Sequence, residues 1–177
     1  MFYVDKELLI SYTYIVFSLL AFNLGPLKFT FEPFPVIVCA VIFGPIDAML
    51  VGGIGELLNQ LFTFGITPTT LLWLLPILSR GWLIGVLGNL WKKRNGTIVI
   101  TAKTNTVAFL VICVISAVVH SLLNTLALYV DSKMFGYYSK ALVFGALFMR
   151  ITASVITAVV MALATKLVVK ALKGRPL

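Results

Sequence analysis

The chain has 177 residues, of which 60% are hydrophobic and only 11% are charged, whereas a soluble domain is about half apolar and about a quarter charged. The apolar excess runs through nearly the whole length, which excludes a soluble domain with one anchor and predicts an all-α integral membrane protein folded as one domain over 1–177. The formal charge of +8 would suit a nucleic-acid partner. No basic and aromatic face accompanies that charge, so no nucleic-acid partner is predicted.

Six apolar segments bounded by turn residues follow one another along the chain. They predict helices over 7–23, 35–44, 47–62, 70–90, 104–130 and 141–172. The second segment is shorter than the roughly 20 residues that a spanning helix needs, so it predicts a half-length or tilted helix. Between the last two helices, the stretch 131–138 is polar and predicts a turn.

Small and hydroxylated residues indicate how the middle of the chain packs. Gly52, Gly53 and Gly55 lie on the third predicted helix and allow the backbone of a neighbouring helix to approach closely. Thr67 or Thr69 precedes the fourth helix, where a hydroxyl can cap free backbone N–H groups. These two features predict a helical hairpin around residues 63–69.

Basic residues predict the orientation in the membrane. One basic cluster follows the fourth helix and the other lies at the C-terminal end of the sequence, and the two comprise Lys92, Lys93, Arg94, Lys103, Lys166, Lys170, Lys173 and Arg175. Because positive charge is retained on the cytoplasmic side, both clusters are predicted to lie inside. With six transmembrane helices, this places both chain ends inside, N-in and C-in, in a single compact bundle.

Polar side chains on four different helices are predicted to lie in the outer half of the bilayer. With a rise of about 1.5 Å per residue, their depths are between about 9 and 18 Å. Ionisable groups at such depth are costly and mark sites where something polar is bound or moved. We therefore expect a shared outward cavity with aromatic walls. The predicted substrate-binding residues are Phe31, Glu32, Glu56, Asn59, Thr67, Trp73, Arg80, His120, Asn124 and Arg150.

Each of these residues also has a structural interpretation. Glu56 and Arg80 can form a buried ion pair that only supports the fold, and His120 can be a hydrogen-bonded core residue. Arg150 can extend toward the cytoplasmic face. The aromatic side chains can form an interfacial belt instead of a pocket wall.

Neither a catalytic motif nor a metal site is recognisable. The sequence has no GxSxG, HExxH, Walker A or dinucleotide-binding pattern, and a single histidine with two dispersed cysteines does not suit zinc. No catalytic residue, metal or cofactor is predicted. Two alternatives stay open: a membrane-embedded enzyme using Glu56 and His120 as acid and base, within hydrogen-bond reach of each other, and a structural subunit with no cavity.

The run FEPFPVIVCAVIFGPIDAMLVGGIGELLNQLF, over residues 31–62, carries a family resemblance. A short helix ends at Phe43-Gly44-Pro45, and the next helix opens with small residues before Glu56. In these features the chain resembles the substrate-binding S components of energy-coupling-factor (ECF) vitamin transporters. The resemblance implies a non-catalytic subunit of an ABC importer in a prokaryotic plasma membrane.

By the same resemblance, the subunit would bind a water-soluble vitamin and act with a membrane T component and two cytoplasmic ATPases. Its docking face for the T component would include Glu7 and Ser11, where the family usually has alanines. Arg80, Arg150 and Lys28 favour an anionic vitamin. Pantothenate or a folate-like anion is the predicted substrate.

Overall fold

The structure, a computed structural model, describes residues 21–24, 27–95 and 106–172, and most of them are helical. In this part of the chain there are five α-helices: α1 (Pro33–Ile42), α2 (Pro45–Phe64), α3 (Thr70–Asn95), α4 (Thr106–Met134) and α5 (Leu147–Leu172). A π-helical segment, Ala141–Gly145, precedes α5. Two strands, β1 (Ala21–Leu24) and β2 (Leu27–Thr30), precede α1.

Strands β1 and β2 correct the predicted end of the first helix. Strands β1 and β2 pair antiparallel, with Ala21 opposite Thr30 and Leu24 opposite Leu27, so the prediction that a helix reaches residue 23 is wrong. The backbone groups of the two strands satisfy each other. The rest of that predicted helix, with Glu7 and Ser11, lies outside the described residues. The count of six helices and the N-in, C-in orientation therefore stay predictions.

The short second helix is confirmed as α1, which has ten residues and spans only about 15 Å. It ends at Ile42, and Gly44, two residues later, has a φ of +113° in the left-handed region that favours glycine. Pro45 then occupies the first turn of α2, where a missing N–H costs nothing. The Phe43-Gly44-Pro45 sequence thus separates the two helices by local backbone chemistry.

Helices α2 and α3 make their closest contact near the start of α2. A Cβ atom added at Gly85 would lie 2.4 Å from the Cα of Pro45, and one added at Gly81 would lie 2.9 Å from the carbonyl carbon of Ala48. Such distances leave no room for any side chain at Gly81 or Gly85. A Cβ at Gly52, one of the glycines singled out in the sequence, would meet the Ile77 side chain at 3.1 Å. The tightest backbone approach therefore uses glycines of α3.

The apolar core lies around α1. Helix α1 packs against α2, α3 and α5, and its buried residues join those of α4 and α5 in one cluster. The cluster includes Val36, Ile37, Cys39, Ala48, Val51, Ile77, Ile84, Phe109, Cys113, Ala117, Met161 and Ala162. Because these residues come mainly from the end of the bundle that holds Pro45 and Gly85, that end is densely packed.

The outer surface of the bundle is apolar. Within the described residues, three helical runs are long and apolar enough to cross a membrane: Thr70–Asn95, Thr106–Met134 and Ala141–Val169. Large apolar side chains such as Phe148 (80% exposed) and Leu167 (70% exposed) project outward from the last run. A surface of this kind fits lipid, and the chain is a multi-pass membrane protein.

Two boundaries near the end of α4 differ from the sequence prediction. Helix α4 continues to Met134, so Asp131 and Ser132 are buried in its last turn and the predicted polar turn over 131–138 is wrong at its start. The predicted helix over 141–172 is divided, since the π-helical segment ends at Gly145 and Ala146 separates it from α5. Gly136 is the first helix breaker after residue 130, which explains why the helix extends.

Candidate functional site

A cavity of about 380 Å³ opens where the last turns of α2 and α4 meet the first turns of α3. Its volume is within the range of small-molecule pockets. It lies at the end of α3 opposite the basic residues Lys92, Lys93 and Arg94. Four of its seven lining side chains are aromatic, and the lining residues are Gln60, Phe64, Thr67, Trp73, Asp131, Phe135 and Tyr137.

Asp131 is the central polar residue of this cavity. It is only 9% exposed, and its carboxylate accepts hydrogen bonds from the Thr69 hydroxyl, the Trp73 Nε1–H (3.4 Å) and the Tyr137 hydroxyl. A carboxylate in the last turn of a helix is disfavoured by the partial negative charge of the helix C-terminus. The three donors offset that penalty.

The hydrogen bond to Asp131 also changes the acidity of Tyr137. Because the phenol donates to a carboxylate, and because it is partly desolvated, its pKa is raised from about 10 to about 12. The same bond fastens the loop after α4 to the cavity wall. Tyr137 is therefore held in place although it is 44% exposed.

The turn before α3 supplies a cluster of hydroxyls. The backbone N–H of Thr67 donates to Thr70 Oγ1 at 2.9 Å, and Thr67 Oγ1 lies 3.2 Å from Thr69 Oγ1. The Thr69 carbonyl accepts from the Trp73 N–H at 3.3 Å, so Thr69 begins α3 through its backbone. The Thr67 and Thr69 hydroxyls bond to each other, and Thr69 also bonds to Asp131. The hydroxyl cap predicted for Thr67 or Thr69 stays a prediction.

Glu56 lies one turn beneath the cavity lining on α2. Gln60 Nε2 donates to Glu56 Oε1 at 2.7 Å, and Asn59 Nδ2 lies 3.5 Å from Glu56 Oε2. Gln60 is itself buried and lines the cavity. The carboxylate of Glu56 is thus connected to the cavity through an amide rather than exposed in it.

Arg80 and His120 come together at a greater depth. Arg80 is 4% exposed and lies seven residues after Trp73, about 10 Å further along α3. Its guanidinium donates to Ser154 Oγ at 3.3 Å, and Ser154 donates to the Ala117 carbonyl at 3.2 Å. His120 contacts the backbone of Pro76 and lies within range of the charge of Arg80.

One ring nitrogen of His120 has no polar partner in the described part of the chain. Nδ1 is buried there without a hydrogen bond. The ring lies against the backbone of Pro76 and within range of the charge of Arg80. Arg80 and His120 form a polar group beneath the cavity and are not part of its lining.

The remaining predicted site residues are dispersed. Arg150 donates to the carbonyls of Leu142 (2.8 Å) and Val143 (3.2 Å), so its guanidinium holds the π-helical segment. Phe31 packs against the apolar core, and Glu32 precedes the first turn of α1. Asn124 is half-buried on α4, two turns before Asp131. Of the predicted binding residues, Thr67 and Trp73 line the cavity.

Asp131 and Tyr137 are not among the binding residues predicted from the sequence. The polar stretch 131–138 predicts a turn at Asp131, although no glycine or proline separates this residue from α4. Its spacing of seven residues from Asn124 places both on one helix face, which is the signal that the sequence offers.

One comparison with known proteins gives a family. A family model described as "ECF transporter, substrate-specific component" matches residues 8–169. The match includes the Phe43-Gly44-Pro45 turn, Glu56 and every residue that lines the cavity. No curated protein matches the chain.

Proposed function

We propose that this chain, which belongs to the substrate-specific components of ECF transporters, binds a water-soluble vitamin in the cavity beside Asp131. It would deliver that vitamin across the membrane together with a membrane T component and two cytoplasmic ATPases. The observation that carries the proposal is the cavity itself, which has aromatic walls and a buried carboxylate at the end of an otherwise apolar bundle. Such a combination of apolar walls and a few fixed polar groups suits a small solute.

The cavity also bears on the two other hypotheses. A structural subunit whose polar groups only connect helices was expected to have no cavity between them. An enzyme using Glu56 and His120 requires a hydrogen bond between these residues, whereas Nδ1 of His120 has no hydrogen bond in the described part of the chain and the ring lies against Pro76 and Arg80. Both observations favour binding without catalysis.

The direction of transport follows from the charge distribution. The cavity and the residues Lys92, Lys93 and Arg94 are at opposite ends of α3. If the basic end is cytoplasmic, as positive charge usually is, the cavity faces the exterior of a prokaryotic plasma membrane. A solute would enter there before the coupled ATPases drive its release inside.

The anionic vitamin predicted from the sequence depends on the arginines. Pantothenate or a folate-like anion would have to reach Arg80, which lies about two turns below Trp73. Arg150 is engaged by the carbonyls of Leu142 and Val143. The chemistry of the cavity therefore gives little support to a negative charge on the solute.

Purification of the chain with its solute tests the proposal. We expect about one solute molecule per chain, detected by mass spectrometry after denaturation. Trp73→Leu removes an aromatic wall and should reduce solute retention about tenfold or more, whereas Trp82→Leu, on the exposed side of the same helix, should leave it unchanged. Equal loss of the solute in both variants would contradict the proposal.

The transport step needs a separate measurement. Vesicles that contain the chain, a T component and the ATPases should accumulate the identified solute only when ATP is supplied on the side of the membrane that holds the ATPases. Trp73→Leu should reduce this uptake in parallel with solute retention. Uptake that does not depend on ATP would contradict the assignment to an energy-coupled importer.

A further inference from the structure

The hydrogen-bond donors that surround Asp131 are already engaged by its carboxylate. Thr69, Trp73 and Tyr137 each direct a donor at this group. A hydroxyl or an indole has only one hydrogen to donate, and a hydroxyl retains lone pairs after donating it. Toward the cavity, these residues therefore offer a ligand hydrogen-bond acceptors or apolar surface, not donors.

The other polar residues of the cavity add further acceptors. Gln60 directs one Nε2 hydrogen to Glu56, so its carbonyl oxygen remains an acceptor and its second Nε2–H remains a donor. The hydrogen between Thr67 Oγ1 and Thr69 Oγ1 belongs to Thr67, because Thr69 donates to Asp131. Thr67 thus also offers lone pairs. The cavity is a site rich in acceptors.

The cavity also carries a negative charge, that of the Asp131 carboxylate. The partners of Asp131 in the described part of the chain are hydroxyls and an indole, all of them uncharged. Lys133, two residues further along α4, places its Nζ 4.0 Å from the ring centroid of Tyr138. A buried carboxylate without a cation is costly in a low-dielectric environment. A positively charged ligand would remove that cost.

We infer that the cavity takes a small cation, a planar ring molecule with a protonated amine or a charged ring nitrogen. Asp131 is its counter-ion, and the aromatic walls, which include Phe64, Trp73 and Phe135, contact its ring. This inference rests on the proposed function, because it assigns the substrate class of the same cavity. It reverses the charge that the sequence predicted, since a pantothenate- or folate-like anion would meet a carboxylate.

A series of ligands that share one ring tests the inference. Pyridoxamine carries a protonated amine, pyridoxine is neutral at the same position, and 4-pyridoxate is an anion. Their affinities for the full chain, stripped of solute in detergent, are measured by calorimetry beside that of pantothenate. We expect pyridoxamine to bind at least tenfold more tightly than pyridoxine and 4-pyridoxate to bind most weakly.

Two variants separate the charge of Asp131 from its structural role. Asp131→Asn keeps the shape and should abolish the preference for pyridoxamine over pyridoxine. Tyr137→Phe removes one donor but keeps the carboxylate, so the preference should persist. The order of affinities in the unsubstituted chain does not depend on whether either variant folds.

The native solute gives an independent measurement. Mass spectrometry of the solute released from the denatured chain should identify a molecule that is cationic at neutral pH. An anionic solute, tighter binding of 4-pyridoxate or pantothenate, or an unchanged preference in folded Asp131→Asn would overturn the inference and leave the proposed function intact. If no solute is released and no ligand of the series binds, both are overturned.

Discussion

The two ends of the α2–α3 pair differ in how the same helices are held together. At one end, Gly81 and Gly85 bring the backbone of α3 against Ala48 and Pro45, and no space is left for a side chain at either glycine. At the other end, Gln60 and Trp73 are wall residues of a cavity.

The comparison separates two kinds of contact. The glycine end depends on shape, because a single methyl group would collide with backbone atoms. The cavity end depends on hydrogen bonds to one carboxylate, Asp131, which connects the turn before α3 to the loop after α4. Dense packing at one end supplies a rigid support, so the other can remain open for a ligand.

Substitution at the glycine end should have the largest effect. Gly85→Ala places a Cβ 2.4 Å from the Cα of Pro45, and backbone atoms cannot move aside as a side chain can. We expect a loss of about 3 kcal/mol in stability, or failure to fold, measured as the melting temperature in detergent. Gly88→Ala, where a Cβ would have no neighbour within 4 Å, is the matched control. Equal melting temperatures would show that the helix contact is not rigid.

Removal of one donor at the cavity end should have the next largest effect. Thr69→Val deletes the hydroxyl that donates to Asp131 with little change in shape, and should cost about 1–3 kcal/mol because the buried carboxylate loses a partner. Thr152→Val removes an exposed hydroxyl bonded only to the Phe148 carbonyl of its own helix and should be nearly neutral. The melting temperatures of the two variants check this difference. A neutral Thr69→Val would mean that Asp131 does not hold this end together.

Arg150 should affect stability without affecting binding. Arg150→Gln removes the two bonds to the carbonyls of Leu142 and Val143 and should cost about 1 kcal/mol. Retention of the native solute should stay within about twofold of the unsubstituted chain, because the residue does not line the cavity. Loss of the solute at unchanged stability would instead show that Arg150 binds the solute.

The smallest effect is an alkaline titration of Tyr137. Its pKa is raised to about 12 by the bond to Asp131, so the stability contributed by this bond is complete below about pH 10 and is lost as the pH rises toward 12. Ultraviolet difference spectra against Tyr137→Phe isolate this phenol from the other five tyrosines. In Asp131→Asn the pKa should return toward 10. An unchanged titration would show that the bond is absent in solution.

Local chemistry made part of the fold predictable. The boundary at Phe43-Gly44-Pro45 follows from one glycine with a positive φ and one proline at a helix start, both of which act within a few residues. The apolar lengths of α3 and α4 likewise predicted helices long enough to cross a membrane. These features need no knowledge of distant contacts.

The site was less predictable because its contacts are distant in sequence. Asp131 is bonded to Thr69 and Trp73, which are 62 and 58 residues away, so nothing near Asp131 in the sequence shows that it is buried. Arg150 was grouped with Arg80 by depth alone, yet the π-helical segment gives it carbonyl partners in the preceding turn. Depth along a helix indicated the level of the polar residues but not which of them share a cavity.

The length of the π-helical segment Ala141–Gly145 determines how α5, which follows it, is rotated about its own axis. Deletion of one residue there would rotate the 26 residues of α5 by about 100° around their axis. Ser154 would then turn away from Arg80, and this buried guanidinium would lose the Ser154 hydroxyl as an acceptor. A deletion near the surface would thus change a contact in the middle of the bundle.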